Sequence, residues 1–147
     1  MDDAAFMRMA LDLAQSDPDE VPVGAVIVAE GQVIASAHNR QEALQDALAH
    51  AEMLAIAKAQ AQLGTSRLTG CTLYVTLEPC PMCAGAILMS GIARCVYAAF
   101  DTQYGCCGSV YALPMDPAFH KFTLCEGGLL AEEAQALLNG FFQRKRM

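Results

Sequence analysis

The sequence predicts an α/β fold, a mixed five-stranded sheet with helices on both faces, and three observations predict it. Short β-branched apolar runs recur along the chain. Stretches of good helix formers lie between them, and Gly, Pro and Asp clusters separate the two kinds of segment. A chain of 147 residues, 54% of them hydrophobic, suits one buried core, so a single domain over 1–147 is expected.

The elements follow in order. Residues 4–15 place Phe6, Met9, Ala10 and Leu13 at helical spacing, and Asp17, Pro18 and Asp19 end that helix. Val23 to Val28 reads as a buried strand, Glu30-Gly31 turns the chain, and Gln32 to Ala37 returns as the second strand of a hairpin. Residues 47–62 are rich in Ala, Leu, Met and Lys and predict a helix. A loop over 64–70 leads to a strand from Cys71 to Thr76. Pro79 and Pro81 break the chain before a helix over Cys83–Met89, which Gly91 stops. Arg94 to Ala98 is the fourth strand, residues 101–118 look irregular, and Lys121 to Cys125 is the fifth strand. Gly127-Gly128 leads into a helix from about Leu130 to Arg144. No internal repeat, low-complexity tract or linker interrupts this order.

Composition narrows the function classes. No run of about 18 or more uncharged apolar residues is present, so no transmembrane helix is expected. The acidic start, MDDAAFMRMA, lacks the positive charge and continuous apolar core of a secretory signal. A soluble, cytoplasmic protein is therefore expected. The seven cysteines are odd in number, which argues against a disulfide framework and for metal ligands or small buried residues. A net charge of −7 speaks against broad phosphate contact. Much of that charge sits in the first 20 residues, in Asp2, Asp3, Asp12, Asp17, Asp19 and Glu20, whereas the C-terminus ends in Arg144-Lys145-Arg146. A polynucleotide substrate is permitted but not favoured by charge.

Three pieces carry chemistry: His50-Ala51-Glu52, Pro79-Cys80, and Cys83. Catalytic zinc takes three protein ligands of the imidazole and thiolate kind and leaves the fourth position to water. His50, Cys80 and Cys83 supply such a set. The Cys-x-x-Cys spacing puts both sulfurs about one helical turn apart, and a helix N-terminus favours the thiolate that binds metal. His50 and Glu52 would point roughly 200° apart in mid-helix. At the first turn, the change from loop to helix lets both face inward, with Glu52 as a base rather than a ligand. Each half of the pattern is common alone. Together they form the His-x-Glu…Pro-Cys-x-x-Cys signature of zinc-dependent nucleobase deaminases. The alternative is a closed structural site completed by Cys71 or Cys95, which leaves Glu52 without a task.

The match runs beyond the signature. EVPVGAVIV (Glu20–Val28), His38-Asn39-Arg40, LYVTLEPCPMCAGA (Leu73–Ala86) and the Gly-Gly then Phe141-Phe142-x-Arg ending resemble the bacterial tRNA adenosine deaminases, the TadA family, over nearly the whole chain. The resemblance implies a three-layer α/β/α cytidine-deaminase-like fold and a homodimer. It also implies conversion of wobble adenosine to inosine in an arginine tRNA anticodon loop. It gives zinc to His50, Cys80 and Cys83, one ion per subunit, and the proton shuttle to Glu52. Asn39 would bind the purine, Asp101 the nucleotide backbone, and Phe142 the flipped base or its neighbours. The chain departs from the better-known members at Phe100, Gln103 and Cys106-Cys107.

Plainer readings stand beside these. Asn39 can cap a turn, Asp101 can be a loop acid, and Glu78 reads as a structural hydrogen-bond acceptor. Cys71, Cys95, Cys106, Cys107 and Cys125 read as small buried residues. Arg144-Lys145-Arg146 suits a solvated helix end. Two other function classes share the signature: a deaminase of free guanine or cytosine, and a zinc-stabilised scaffold without catalysis.

Overall fold

Alternation along the inner strands decides the architecture. In β1 (Gly24–Ala29), Ala25 and Ile27 face one side while Val26 and Val28 face the other, and all four are buried. In β3 (Thr72–Leu77), Leu73 and Val75 oppose Tyr74, and in β4 (Arg94–Ala99), Cys95 and Tyr97 oppose Val96 and Ala98. A strand apolar on both faces needs cover on both. The computed structural model describes residues 1–146 and supplies that cover. Helices α1 (Asp3–Ala14) and α5 (Ala131–Lys145) pack Phe6, Met7, Ala10, Ala134 and Leu138 on one face. Helices α3 (Ala51–Leu63) and α4 (Pro81–Ser90) pack Ala55, Ile56, Ala84 and Ile87 on the other.

The sheet runs β2-β1-β3-β4-β5, with β2 (Gln32–His38) and β5 (Leu124–Gly127) at its edges. β1 pairs antiparallel with both β2 and β3, whereas β3–β4 and β4–β5 are parallel. The expected mixed five-stranded sheet between helical layers is therefore the observed fold. The hairpin turn uses Glu30 and Gly31 at φ 50° and 75°, the positive values that a two-residue connection needs. Gly24 serves close packing: a Cβ there would lie 1.9 Å from the Ala10 carbonyl oxygen, so α1 rests directly on the start of β1.

Three expectations need correction. The segment over 47–62 does not begin as helix: α3 starts at Ala51, because residues 45–50 turn the chain after a short helix α2 (Gln41–Leu44). Nothing in the sequence marked α2; the buried Glu20 carboxylate creates it by accepting from the Glu42 and Ala43 N–H groups at 3.1 and 2.8 Å. The fifth strand lies at Leu124–Gly127 rather than Lys121–Cys125. Pairing with β4 sets its register, Arg94↔Leu124 to Tyr97↔Gly127. Thr123, by contrast, bonds outside the sheet, from its N–H to the Pro114 carbonyl and from its hydroxyl to the Ile92 carbonyl. Finally, Cys71 precedes β3 instead of belonging to it, although it is fully buried as expected.

Asp3 ties α1 to the sheet. Arg94 donates two hydrogen bonds to its carboxylate at 2.9 and 2.6 Å, and the Tyr74 hydroxyl donates a third at 2.6 Å. Arg94 and then Tyr74 hold the Asp3 carboxyl down at about 2, against 3.8 ordinarily. A depressed carboxylate contributes stability that is present above its unfolded pKa and lost as pH falls through the folded one. Asp3→Asn is therefore expected to cost about 1 kcal/mol or less at neutral pH, the site being partly exposed. The gap to the wild type should shrink between pH 3.8 and about 2, as read by denaturant melts across that window.

Candidate active site

Two helix N-termini meet at one end of the sheet. Helix α4 starts where β3 ends: Cys80 is its N-cap, with extended backbone at φ −73° and ψ 176°, Pro81 opens the first turn, and Cys83 lies three residues on. Proline suits that first position because its missing N–H would have no helical partner. Helix α3 starts the same way. His50 is its N-cap, extended at φ −73° and ψ 150°, so its side chain escapes the helical step that would carry it away from Glu52. The loop-to-helix change thus aims both residues inward. Both helix dipoles present their positive ends to the site, which favours thiolate and carboxylate there.

The His50 Nδ1 atom lies 3.6 Å from the Cys80 sulfur and 3.5 Å from the Cys83 sulfur. All three donor atoms fall within 4.8 Å of one another, and no other such His, Cys, Asp or Glu set occurs among the described residues. Tetrahedral zinc with bonds of about 2.0 Å to nitrogen and 2.3 Å to sulfur needs a nitrogen–sulfur edge of about 3.5 Å. One nitrogen and two sulfurs at that spacing fit zinc and leave a fourth direction open. Cys71 and Cys95 are not part of this set, so the closed four-ligand alternative has no geometric support. Contact with Cys83 and then with His50 brings the Cys80 thiol down to about 4, into the metal-binding thiolate range. The shared proton pushes Cys83 the other way.

Glu52 is buried, only 4% exposed, and belongs to no ion pair among the described residues. Burial pushes its carboxyl up to about 7. A dication held by the neighbouring ligands would pull it back down. A buried carboxyl beside the donor set can both take and give a proton.

His50, Glu52 and Cys80 line a pocket of about 300 Å³, whose walls include Val21, Val23, Asn39, Asp101 and Tyr104. That volume is at the small end for ligand pockets. Asn39 and Asp101 are thus brought to the site. Asn39 also has structural work: its Oδ1 accepts from the Ala51 N–H at 2.8 Å, and its Nδ2 donates to the Val21 carbonyl at 3.2 Å. It does the capping that His50 leaves undone. Asn39→Ala should leave the Ala51 N–H unpaired in a buried place and cost about 1–3 kcal/mol in thermal denaturation. Asp101 turns its own loop, accepting from the Gln103 and Tyr104 N–H groups at 3.0 Å.

Phe142 is not in the pocket wall. It is 48% exposed and lines an adjoining groove with Asp19, Glu42 and Lys145; the two spaces share Val21 and Gln41. Tyr104, like Gln41, is a lining residue that sequence reasoning did not single out. It sits in the irregular stretch after β4, where no periodicity marks a face, and it stands 63% exposed at the pocket. Cys95, Cys106 and Cys107 are buried as expected, and Cys125 is half-buried.

Residues 1–99 match the cytidine and deoxycytidylate deaminase zinc-binding region. The chain is 45% identical over 146 residues to the tRNA-specific adenosine deaminase of Bacillus subtilis, covering 98% of this chain and 91% of the relative. Among solved structures, one from studies of A-to-I editing by tRNA:A34 deaminases at the wobble position superposes with a TM-score of 0.87 at 43% identity. That match covers 91% of this chain and 99% of the other. The guanine deaminase of Nitrosomonas europaea matches at a TM-score of 0.79 and 30% identity, over 94% and 83% of the two chains. With the signature residues assembled and these likenesses over nearly its full length, the chain belongs to the zinc-binding cytidine and deoxycytidylate deaminase family, among its tRNA-specific adenosine deaminases.

Proposed function

We propose that this protein hydrolyses adenosine to inosine at the wobble position of a tRNA anticodon, the tRNA being an arginine tRNA. The observation that carries the reading is the placement of Glu52 beside the His50, Cys80 and Cys83 donor set, in a pocket small enough to admit one base. The kinship with tRNA-specific adenosine deaminases supports the substrate. Anticodon bases are single-stranded and cost little to extrude.

His50, Cys80 and Cys83 hold one zinc ion per subunit. When bound, zinc lowers the pKa of a water it polarises to about 7. Glu52 accepts a proton on the water side of the pocket and returns it toward the ring nitrogen and the departing amine. Its burial keeps bulk water from competing for that proton. Asn39, held rigid by Ala51 and Val21, faces the base, and Asp101 faces the nucleotide backbone beside it. Phe142, in the adjoining groove, meets a neighbouring nucleotide rather than the target base.

One deaminase domain spans the chain, and two copies form a homodimer. Val110, Tyr111, Phe119 and Phe122, all exposed on one stretch of chain, offer apolar surface for a second copy. Seven free cysteines suit a reducing cytoplasm, and no helix among the described residues is long and apolar enough to cross a membrane.

The test is ammonia release with inosine detection on an adenosine-containing anticodon stem-loop and, in parallel, on free nucleobases. Inosine at the wobble position is the expected result. Ammonia from free guanine alone would keep the zinc site and Glu52 but move the protein to nucleotide salvage.

A further inference from the structure

Among the described residues, Glu78 is a carboxylate paired with no cation. It is 2% exposed and takes part in none of the ion pairs among the described residues. Four donors reach it instead, all from the loop over 101–109. Oε1 accepts from the Asp101 N–H at 3.1 Å and from the Ser109 hydroxyl, and Oε2 accepts from the Cys107 and Ser109 N–H groups at 3.2 and 2.8 Å. The loop is therefore gripped at its first and last residues by one side chain. Its middle is pressed against the same group: a Cβ on Gly105 would lie 2.4 Å from both the Glu78 Cδ and the Asp101 carbonyl oxygen. The next residue, Cys106, donates its N–H to the Pro79 carbonyl at 2.8 Å.

Both ends of this arrangement touch the pocket. Glu78 and Pro79 lead directly into Cys80, the N-cap of α4. The loop carries Asp101 and Tyr104 into the pocket wall, which Glu78 itself also lines. We propose that Glu78 is a positioning residue for substrate: its carboxylate sets the distance between the metal-binding segment and the wall that receives the nucleotide. The inference rests on reading the pocket as the deaminase site. An ionised carboxyl only accepts hydrogen bonds, so it can satisfy four converging donors. The isosteric amide cannot, because its NH₂ group would face N–H groups and leave buried donors unpaired.

Full-length, zinc-loaded Glu78→Gln and the milder Ser109→Ala, which removes one of the four bonds, test this. Kinetics are read on the anticodon stem-loop and on free guanine, together with zinc content and amide hydrogen exchange. Glu78→Gln should raise KM more than it lowers kcat, with kcat/KM falling about 10–100-fold and zinc content unchanged. The Asp101, Cys107 and Ser109 amides should exchange faster while those of α4 do not change. Ser109→Ala should move each readout the same way by less, and it decides the question if Glu78→Gln fails to fold. Unchanged kinetics with unchanged loop exchange would overturn the proposal, as would zinc loss with KM unmoved, which would place Glu78 on the metal side. Should the wild type ignore the stem-loop, the substrate reading fails by itself, and loop exchange with the guanine kinetics still judges Glu78.

Discussion

Glu52→Ala and Glu52→Gln proteins are expected to keep their zinc and lose turnover by about 10²–10⁴-fold, the usual share of a positioned acid–base group. Zinc should stay because the three donor atoms lie on His50, Cys80 and Cys83 and Glu52 is not among them. Turnover should go because Glu52 is the buried carboxylate beside the donor set in the pocket. The Gln variant is the sharper test, since it keeps shape and volume and removes only the ability to carry a proton. Zinc per subunit by elemental analysis and initial rates on the stem-loop decide the matter. A wild-type rate in either variant would remove Glu52 from the proton shuttle, and loss of zinc would make it a ligand. Wild-type protein with no reaction at all would return the scaffold reading.

Cys83→Ala should fail differently, losing metal and stability along with activity. Cys83 is fully buried at the first turn of α4, so no solvent ligand can take its place without disturbing the core. A metal that binds only the folded state stabilises it by RT ln(1 + [L]/Kd), about 4 kcal/mol when free zinc is a thousand times Kd. That stabilisation disappears with the ligand set. Melts with and without chelator should therefore differ widely for the wild type and coincide for Cys83→Ala. Cys71→Ala and Cys95→Ala supply the contrast. Both sulfurs are buried outside the donor set, so those variants should lose some packing energy and keep zinc. Stoichiometric zinc in Cys83→Ala, or zinc loss in Cys71→Ala, would redraw the site.

The bases of these predictions were legible to different degrees. The convergence of His50, Cys80 and Cys83 could be read because zinc accepts few residue types and because Cys-x-x-Cys after a proline is a local geometry. The faces of β1, β3 and β4 could be read because alternation has a period of two and needs no knowledge of the partner strand. The fifth strand was misplaced by about three residues, because Phe122 and Thr123 have strand propensity while register belongs to the pair, here β4 with β5. Helix α2 was missed because its cap, Glu20, comes from a distant part of the chain.

The same division holds for the site. Sequence by itself determined the grouping of His50, Cys80 and Cys83, the carboxylate beside them and the layered α/β architecture, since each depends on residue type and short spacing. Only the tertiary structure decided that Asn39 caps α3 while facing the pocket, and that Tyr104 joins the wall. It alone placed Phe142 in the next groove and the loop over 101–109 around a single buried carboxylate. Those facts depend on hydrogen bonds and contacts between residues far apart in the chain, and no local periodicity encodes them.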